Sequence, residues 1–203
     1  NESSARTEQA AGENRVIWVV WLTYGAFYFC RTNISAAVPG MQAPGSEGGL
    51  GLSGEQIGLI LAALKIAYGV GQLINGQLAE RFSPRVLLAA GMFGSAALNV
   101  LFGLSTAFYF LLFVWASNGY AQALGWTPCV RVLGNWIPPL RRGKAMGIVG
   151  TGYQLTLGLT FIVAGFSAEW LGWRAAFLTP ALLLAAAGFV MLAFLEESPG
   201  VEA

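Results

Sequence analysis

The fold is decided by one stretch of sequence, Trp21-Leu-Thr-Tyr-Gly-Ala-Phe-Tyr-Phe-Cys-Arg-Thr-Asn-Ile-Ser-Ala-Ala-Val-Pro39. Together with the residues just before it, this stretch is long and apolar enough to cross a bilayer, yet it carries Arg31. A charged side chain is costly in the hydrocarbon core of a membrane, so Arg31 needs a partner. We therefore interpret Arg31 as the residue that receives an anionic ligand and the other helices as the walls around it.

The composition is typical of an integral membrane protein. Of 203 residues, 56% are apolar and only 10% are charged, with 27 glycines and seven tryptophans. The sequence contains neither His nor Asp, and Cys30 and Cys129 lack the CxxC spacing of a metal or redox pair. No nucleophile–base pair or phosphate-binding glycine loop is present. We therefore expect no enzyme, cofactor, metal or nucleic-acid partner.

The chain divides into six apolar segments, and we predict an all-α polytopic membrane protein with six transmembrane helices. Each segment reaches the roughly 20 residues that a span of about 30 Å requires, and none shows the alternation of a β-barrel strand. The segments are 16–39, 55–79, 86–106, 108–137, 144–168 and 173–195. The polar residues 1–15 are expected to form a disordered cytoplasmic tail, 16–196 the six-helix bundle, and 197–203 the start of a cytoplasmic linker or tail.

Lysine and arginine in the short connections set the orientation. Arg174 alone lies on the side opposite the termini, whereas seven basic residues lie on the side of the termini: Arg6, Arg15, Arg81, Arg85, Arg141, Arg142 and Lys144. Because cytoplasmic loops carry the excess of Lys and Arg, we predict a multi-pass protein of the inner (plasma) membrane with both termini cytoplasmic.

At the beginnings of the second and fifth apolar segments, pairs of glycines lie four residues apart, a spacing that lets helices approach closely. The pairs are Gly54/Gly58 and Gly143/Gly147. Their spacing predicts a tightly packed bundle.

Three basic residues lie within the spans, and no carboxylate lies near the middle of one. At a rise of about 1.5 Å per residue, Arg31 and Lys65 lie at nearly the same depth in the membrane. Arg131 lies roughly 15 Å to the cytoplasmic side of the middle of its span. An anionic ligand is the simplest partner for the first two. The alternatives are carbonyls of another helix or a carboxylate on another polypeptide. For Arg131 they are gating, lipid contact or snorkelling.

Helical spacing supplies companions for these cations. Tyr24 and Tyr28 share a face with Arg31, and side chains at such spacing are neighbours on a helix. A guanidinium suits phosphate because its planar fork donates two parallel hydrogen bonds, and phenols and amides can bond the remaining oxygens. The predicted substrate-binding residues are Arg31, Lys65, Tyr28, Tyr153, Gln122, Tyr68, Gln72 and Trp126. The aromatic residues among them could equally pack helices or anchor the membrane interface.

Several motifs resemble those of known transporters. Gly76-Gln-Leu-Ala-Glu-Arg-Phe-Ser-Pro-Arg85 resembles the signature G-x-L-a-D-r-x-G-r-r of the major facilitator superfamily, with Glu80 and Ser83 departing from it. The fourth span is similar to that of the organophosphate:phosphate antiporter family, the glycerol-3-phosphate and hexose-phosphate exchangers. The matching residues there are Asn118-Gly119, Gln122, Gly125-Trp-Thr-Pro-Cys129, Arg131, Asn135-Trp136 and Arg142-Gly143.

The resemblance covers the amino-terminal six-helix half of a twelve-helix fold whose substrate binds between two halves. It implies that a second six-helix half, or a second copy in a homodimer, completes the site. It also implies a cytoplasmic gate built from Gly76, Glu80, Arg81, Arg85, Arg131 and Arg142. Gln72 stands where glycerol-phosphate exchangers carry a lysine, and Tyr153 where they carry a histidine, so the identity of the anion is left open.

The sequence thus predicts half of a membrane transporter that exchanges an organic phosphate, or a similar organic anion, for inorganic phosphate by alternating access. Exchange is favoured over proton symport because no histidine or buried carboxylate is available to carry the proton. Two alternatives stay open: an anion:cation symporter for sugar acids, and a sensor on the same scaffold that binds ligand without transport.

Overall fold

The computed structural model describes the backbone of residues 2–199 and the side chains of residues 10–199. Within that range every regular element is helical and no strand occurs, which confirms the all-α prediction. The helices are α1 (Glu2–Ala26), α2 (Ile34–Gln42), α3 (Gly54–Arg81), α4 (Pro84–Leu104), α5 (Phe108–Gln122), α6 (Trp126–Trp136), α7 (Pro139–Leu171) and α8 (Ala175–Phe194). Two single 3₁₀ turns cover Phe27–Cys30 and Gly45–Glu47.

These eight helices make six spans. By length and composition, α3, α4, α7 and α8 are each sufficient to cross a membrane without interruption. The first and fourth spans are instead each divided into two helices, α1 with α2 and α5 with α6. Both parts of the first span pack against α7 and α8, and both parts of the fourth pack against α3 and α4. Each pair of helices therefore forms one span with a break inside it.

Local sequence explains where the main helices begin and end. At the start of α3, Gln56 N donates to Ser53 Oγ (3.2 Å) and Ser53 N donates to Gln56 Oε1 (2.9 Å), a capping box. The helix α4 begins with Ser83 as its cap and Pro84 in its first turn. At the end of α7, Gly172 has a φ of +86°, a left-handed value that glycine adopts without strain.

The first helix differs from prediction, because α1 begins at Glu2 and includes the stretch expected to form a disordered tail. Alanine, glutamate, glutamine and arginine, which dominate this stretch, are strong helix formers. Glu13 is also only 5% exposed. Its two carboxylate oxygens each lie 2.9 Å from a guanidinium nitrogen of Arg141 in α7. Residues 1 and 200–203 lie outside the described range.

The Glu13–Arg141 pair predicts an asymmetric mutational response. Arg141→Ala leaves a carboxylate buried without its partner, which should cost about 1–3 kcal/mol of unfolding free energy. Glu13→Ala should cost less, about 1 kcal/mol or roughly 2–4 °C in Tm, because the side chain of Arg141 is 59% exposed and can return to water. Thermal unfolding in detergent measures both, with exposed Lys144→Ala as control. Equal losses in the two variants would contradict the buried-carboxylate argument.

Close packing in the bundle occurs at other glycines than the predicted pairs. A Cβ at Gly119 of α5 would collide with the carbonyl of Leu64 in α3, and one at Gly152 of α7 would lie 2.8 Å from Trp21 O. At Gly58, Gly143 and Gly147 no atom of the described residues lies within 4 Å of such a Cβ, and at Gly54 only the end of Gln42 reaches 4.0 Å. The two predicted pairs therefore make no close helix contact among the described residues, because spacing shows that two glycines share a face but not which helix that face meets.

Candidate functional site

Arg31 lies directly after the 3₁₀ turn Phe27–Cys30, at the break in the first span. Its guanidinium carbon lies 4.5 Å from the ring centroid of Tyr28 and 4.7 Å from that of Tyr68 in α3. Its Nε donates to Gln122 Oε1 in α5 at 3.0 Å. A guanidinium stacks well on aromatic faces, so these contacts fix its plane. Three spans together hold this one side chain.

The guanidinium retains donor capacity. Its Nη2 is buried and has no hydrogen-bond partner among the described residues, a situation that costs about 1–3 kcal/mol. The ion pairs found in the described part of the chain, Arg15–Glu196 and Arg141–Glu13, both lie at the end of the bundle where the chain begins and α8 ends. No carboxylate among the described residues forms an ion pair with Arg31. The site can therefore accept an anion.

An aromatic cluster adjoins the guanidinium. Tyr28 stacks on Tyr153 of α7 with ring centroids 5.1 Å apart and an interplanar angle of 25°. Tyr24 packs against Trp126 of α6 at 4.7 Å and meets Tyr28 and Tyr153 edge-on at 6.0 and 6.1 Å. Tyr28 thus contacts Arg31 directly, whereas Tyr153 is joined to it through Tyr28 and Trp126 through Tyr24. Their role in binding a ligand stays a prediction. Tyr24 belongs to the same cluster although it was not predicted as a binding residue.

The three predicted site residues of α3 are placed differently from one another. Tyr68 contacts Arg31 through its ring face. Lys65 and Gln72 lie one turn to either side of Tyr68, so helical geometry puts them on the same face. Lys65 is exposed and Gln72 is half-buried. Neither forms a side-chain hydrogen bond or ion pair with another described residue.

Gln122 contacts the guanidinium from inside the bundle. Its side chain is fully buried, and both ends of its amide are hydrogen-bonded. While Oε1 accepts from Arg31, Nε2 donates to Phe27 O (3.0 Å) and Ser95 Oγ (2.7 Å). Ser95 Oγ lies 2.6 Å from Asn118 Oδ1, to which it donates, and Asn118 Nδ2 donates to Cys30 O (2.8 Å). Gln122 therefore joins Arg31 to a chain of buried polar groups.

Two asparagines extend this chain. Asn99 Nδ2 donates to Cys30 O (3.3 Å) and Ser95 O (3.0 Å). Asn33 Nδ2 donates to Asn99 Oδ1 and to Ala176 O, both at 2.9 Å. We call the five buried residues the amide network: Asn33, Ser95, Asn99, Asn118 and Gln122. Sequence reasoning missed Ser95 and Asn99, although two polar side chains four residues apart in an apolar span are a usable signal.

Three of the six predicted gate residues bind carbonyls at helix ends. Helix carboxyl termini carry unsatisfied carbonyls and partial negative charge, which arginine satisfies. Arg131 donates to Ala79 O and Phe82 O at the end of α3, and Arg142 donates to Gly134 O and Ile137 O at the end of α6. Arg85 likewise donates to Leu192 O near the end of α8. Glu80 and Arg81 form no side-chain hydrogen bond or ion pair with another described residue, and no atom of the described residues lies within 4 Å of a Cβ at Gly76.

The residues just after α8 fasten several helix ends together. Glu197 Oε1 accepts from Ser83 Oγ and from Arg85 N (3.0 Å) at the start of α4. Glu196 pairs with Arg15 of α1. At the end of α6, Trp136 Nε1 donates to Glu196 O at 2.8 Å. These contacts link α1, α4, α6 and α8 at one end of the bundle, far along the helices from Arg31.

A large open groove elsewhere on the bundle has a different character. It encloses about 680 Å³ between α3 and α5 and is lined by apolar and tyrosine side chains, among them Leu59, Ile66, Tyr109 and Phe113. None of the residues that line it is charged, so it suits lipid chains and not an anion.

Cys30 and Cys129 are free and buried inside the bundle.

Comparisons with known proteins agree with this architecture. The family model described as Major Facilitator Superfamily matches residues 20–203. A crystal structure of an inward-facing, unoccupied bacterial homologue of the human lysosomal transporter Spinster superimposes with a TM-score of 0.74 at 18% identity. The match covers 93% of this chain and 44% of that chain.

Curated relatives carry phosphate-ester names. A probable hexose phosphate transport protein of Chlamydia trachomatis is 29% identical over 91% of this chain and 40% of its own length. The Bacillus subtilis glycerol-3-phosphate transporter is 30% identical, with 89% and 40% covered. The membrane sensor protein UhpC of Escherichia coli is 29% identical, with 91% and 41% covered.

The chain thus spans about 40% of the length of these relatives. The motifs that predicted the family lie inside the matched region, and the bundle has the helical architecture of the superfamily. The predicted resemblance to the organophosphate:phosphate antiporters is confirmed by the relatives' names. The chain belongs to the Major Facilitator Superfamily.

Proposed function

We propose that this chain is one half of a membrane transporter for a phosphate ester, which it exchanges for inorganic phosphate. The observation that carries the proposal is the state of Arg31. Its guanidinium is fixed by Gln122 and two tyrosine rings, its Nη2 is buried without a partner, and no carboxylate among the described residues pairs with it. An anion bound there would satisfy the donor and neutralise the charge.

Phosphate fits the site better than a carboxylate does. Because Nε is occupied by Gln122, the two terminal nitrogens remain for the ligand, and an arginine can hold a phosphate with two parallel hydrogen bonds. Phosphate has further oxygens to be bonded. The rings of Tyr28 and Tyr68 contact the guanidinium and Tyr153 stacks on Tyr28, so we propose their phenol hydroxyls as donors to these oxygens. Lys65 adds a second positive charge on the same face of α3 as Tyr68. The names of the relatives, hexose phosphate and glycerol-3-phosphate transporters, support the same substrate class.

The charge balance of the site supports exchange by alternating access. With an anion bound, Arg31 and Lys65 are compensated and two halves can rock around the site. With the site empty, the uncompensated cations disfavour an occluded state, so an anion has to travel in each direction. None of the residues that line the site is a histidine or a carboxylate, so coupling to protons has no carrier there.

The rest of the transporter and its setting are part of the proposal. We place the chain in the inner (plasma) membrane, with the end that holds Glu13 and Glu197 in the cytoplasm. A second six-helix half, or a second copy, closes the site from the other side. Open glycines on α3 and α7 support such a partner, because no atom of the described residues lies within 4 Å of a Cβ at Gly69, Gly76, Gly158 or Gly165.

Counterflow in proteoliposomes tests the function. The protein, with any further chain that it normally carries, is reconstituted into vesicles loaded with inorganic phosphate, and uptake of labelled phosphate is followed. We expect uptake only when phosphate or a sugar phosphate is inside, and inhibition by external hexose phosphate or glycerol-3-phosphate. Uptake into empty vesicles that is driven by an acid-outside proton gradient would instead identify a proton-coupled symporter.

A ligand sensor is the second candidate, because the membrane sensor protein UhpC is as similar to this chain as the transporters are. A sensor needs the same anion site but no completed transport cycle. Binding of phosphate or a sugar phosphate, measured by calorimetry, together with no counterflow in the same preparation would select the sensor.

A further inference from the structure

We infer that Gln122 is a positioning residue, which holds the Arg31 guanidinium in its ligand-binding orientation through the amide network. This inference deepens the proposed function and rests on it. It assigns Gln122 a task other than ligand contact, since the side chain is fully buried and both ends of its amide are used inside the protein.

The hydrogen-bond pattern leaves the Gln122 amide only one consistent orientation. Asn118 Nδ2 donates to Cys30 O, so Asn118 Oδ1 faces Ser95 and must accept. The single hydroxyl hydrogen of Ser95 is used for that bond, and its oxygen then accepts from Gln122 Nε2. Gln122 Oε1 is consequently directed at Arg31. A rotated amide would place two donors against each other at Arg31 and two acceptors against each other at Phe27 O and Ser95 Oγ.

The same network fixes the backbone that carries Arg31. Gln122 binds the carbonyl of Phe27, and Asn118 and Asn99 bind the carbonyl of Cys30, at the two ends of the 3₁₀ turn that precedes Arg31. A break in a transmembrane helix exposes polar backbone that has to be satisfied inside the protein. Helices α4 and α5 supply those partners and thereby set both the position of the Arg31 backbone and the direction of its Nε.

Positioning matters here because the ligand has only the two terminal nitrogens to bind. A guanidinium free to rotate would present Nε and Nη in turn and would lose conformational entropy when an anion bound. Held between Tyr28 and Tyr68 and bonded at Nε, it presents one edge only. Preorganised donors bind more tightly than mobile ones for this reason. Loss of Gln122 should therefore weaken ligand binding while Arg31 itself remains.

Two substitutions of Gln122 distinguish a loss of guanidinium positioning from a general loss of folded structure. Gln122→Met keeps the side-chain length but removes the acceptor, and we expect the KM for phosphate exchange to rise at least about tenfold with Vmax largely retained. Gln122→Glu places a carboxylate against Arg31, where it competes with the anionic ligand, so its KM should rise further. Asn75→Leu is the matched control, because Asn75 is another buried amide but has no hydrogen-bond partner among the described residues. Its KM should stay within about twofold of the parent.

A second readout does not depend on transport. With ¹⁵Nε-labelled arginine in micelles, the Arg31 Nε–H signal is identified by its loss in Arg31→Lys, and its exchange with water is measured. We expect slow exchange in the parent and in Asn75→Leu, and fast exchange in Gln122→Met. Slow exchange in Gln122→Met, or a fall in Vmax and folded yield with an unchanged KM, would overturn the inference. If the parent neither binds nor transports phosphate, the proposed function fails. The rate at which the Arg31 Nε–H exchanges with water then decides by itself whether Gln122 positions the guanidinium.

Discussion

Arg31→Ala should reduce phosphate counterflow at least about 100-fold. The substitution removes the cation and two charge-assisted hydrogen bonds to the ligand, each worth about 1.5–3 kcal/mol, and tenfold in affinity corresponds to about 1.4 kcal/mol. Arg31→Lys keeps the charge but loses the planar fork and its stacking between Tyr28 and Tyr68, so we expect a loss of about 10- to 100-fold. Initial rates of labelled phosphate uptake in phosphate-loaded vesicles measure both effects.

Arg174 is the matched control for this experiment. It is also an arginine stacked on an aromatic ring, with its guanidinium carbon 4.4 Å from the ring centroid of Trp173. Its Nη1 donates to Gly103 O (2.7 Å) and Ser105 O (3.1 Å), so it satisfies the end of α4 and lies outside the site. Arg174→Ala should lower Tm and leave the KM of the folded protein unchanged. Counterflow that persists in Arg31→Ala at the parent rate would contradict the proposed function.

Gly119→Ala should destabilise the bundle by about 1–3 kcal/mol, and Gly119→Val by more. A Cβ at this position collides with the backbone carbonyl of Leu64, and backbone cannot give way as the end of a flexible side chain can. The two helices concerned, α3 and α5, also carry Tyr68 and Gln122, so forcing them apart should loosen Arg31 as well. Thermal unfolding in detergent, followed by tryptophan fluorescence, measures the loss.

Gly69→Ala provides the comparison in the same helix pair. In the part of the chain that the structure describes, no atom lies within 4 Å of a Cβ at Gly69. Alanine is also the better helix former, so the isolated chain should keep or slightly raise its stability. Similar losses in Gly119→Ala and Gly69→Ala would contradict the packing that the structure describes. If a partner half packs on this face of α3, Gly69→Ala should instead weaken that association, which sedimentation or native mass in mild detergent would detect.

Much of the fold could be predicted because hydropathy and charge are local properties. Six apolar segments of sufficient length were enough to place six spans, and all six are helical in the structure. The breaks at Phe27–Cys30 and after Gln122 could not be predicted in the same way. The first depends on the side chains of Asn118 and Asn99 in two other helices, which donate to the exposed carbonyl of Cys30.

The predicted site shows the same division. Tyr28 follows from its position three residues before Arg31 in the same span, because residues three apart share a face in a 3₁₀ turn as well as in an α-helix. Tyr68, Gln122 and Tyr153 come from three other spans, and their approach to Arg31 depends on the rotation and crossing of those helices. One turn of displacement would have brought Lys65 or Gln72, and not Tyr68, to the guanidinium. The structure instead leaves Lys65 exposed.

By itself, the sequence determined the membrane-spanning class, the number of spans and the sign of the charge at the site. Arg31 and the lack of any carboxylate at its depth can be read from the order of residues alone. Only the tertiary structure decided the environment of that charge. The guanidinium contacts the rings of Tyr28 and Tyr68, its Nε donates to Gln122, and its buried Nη2 has no partner among the described residues. The physical reason is that charge and hydropathy belong to single residues, whereas a hydrogen bond between helices exists only once their packing has fixed which faces meet.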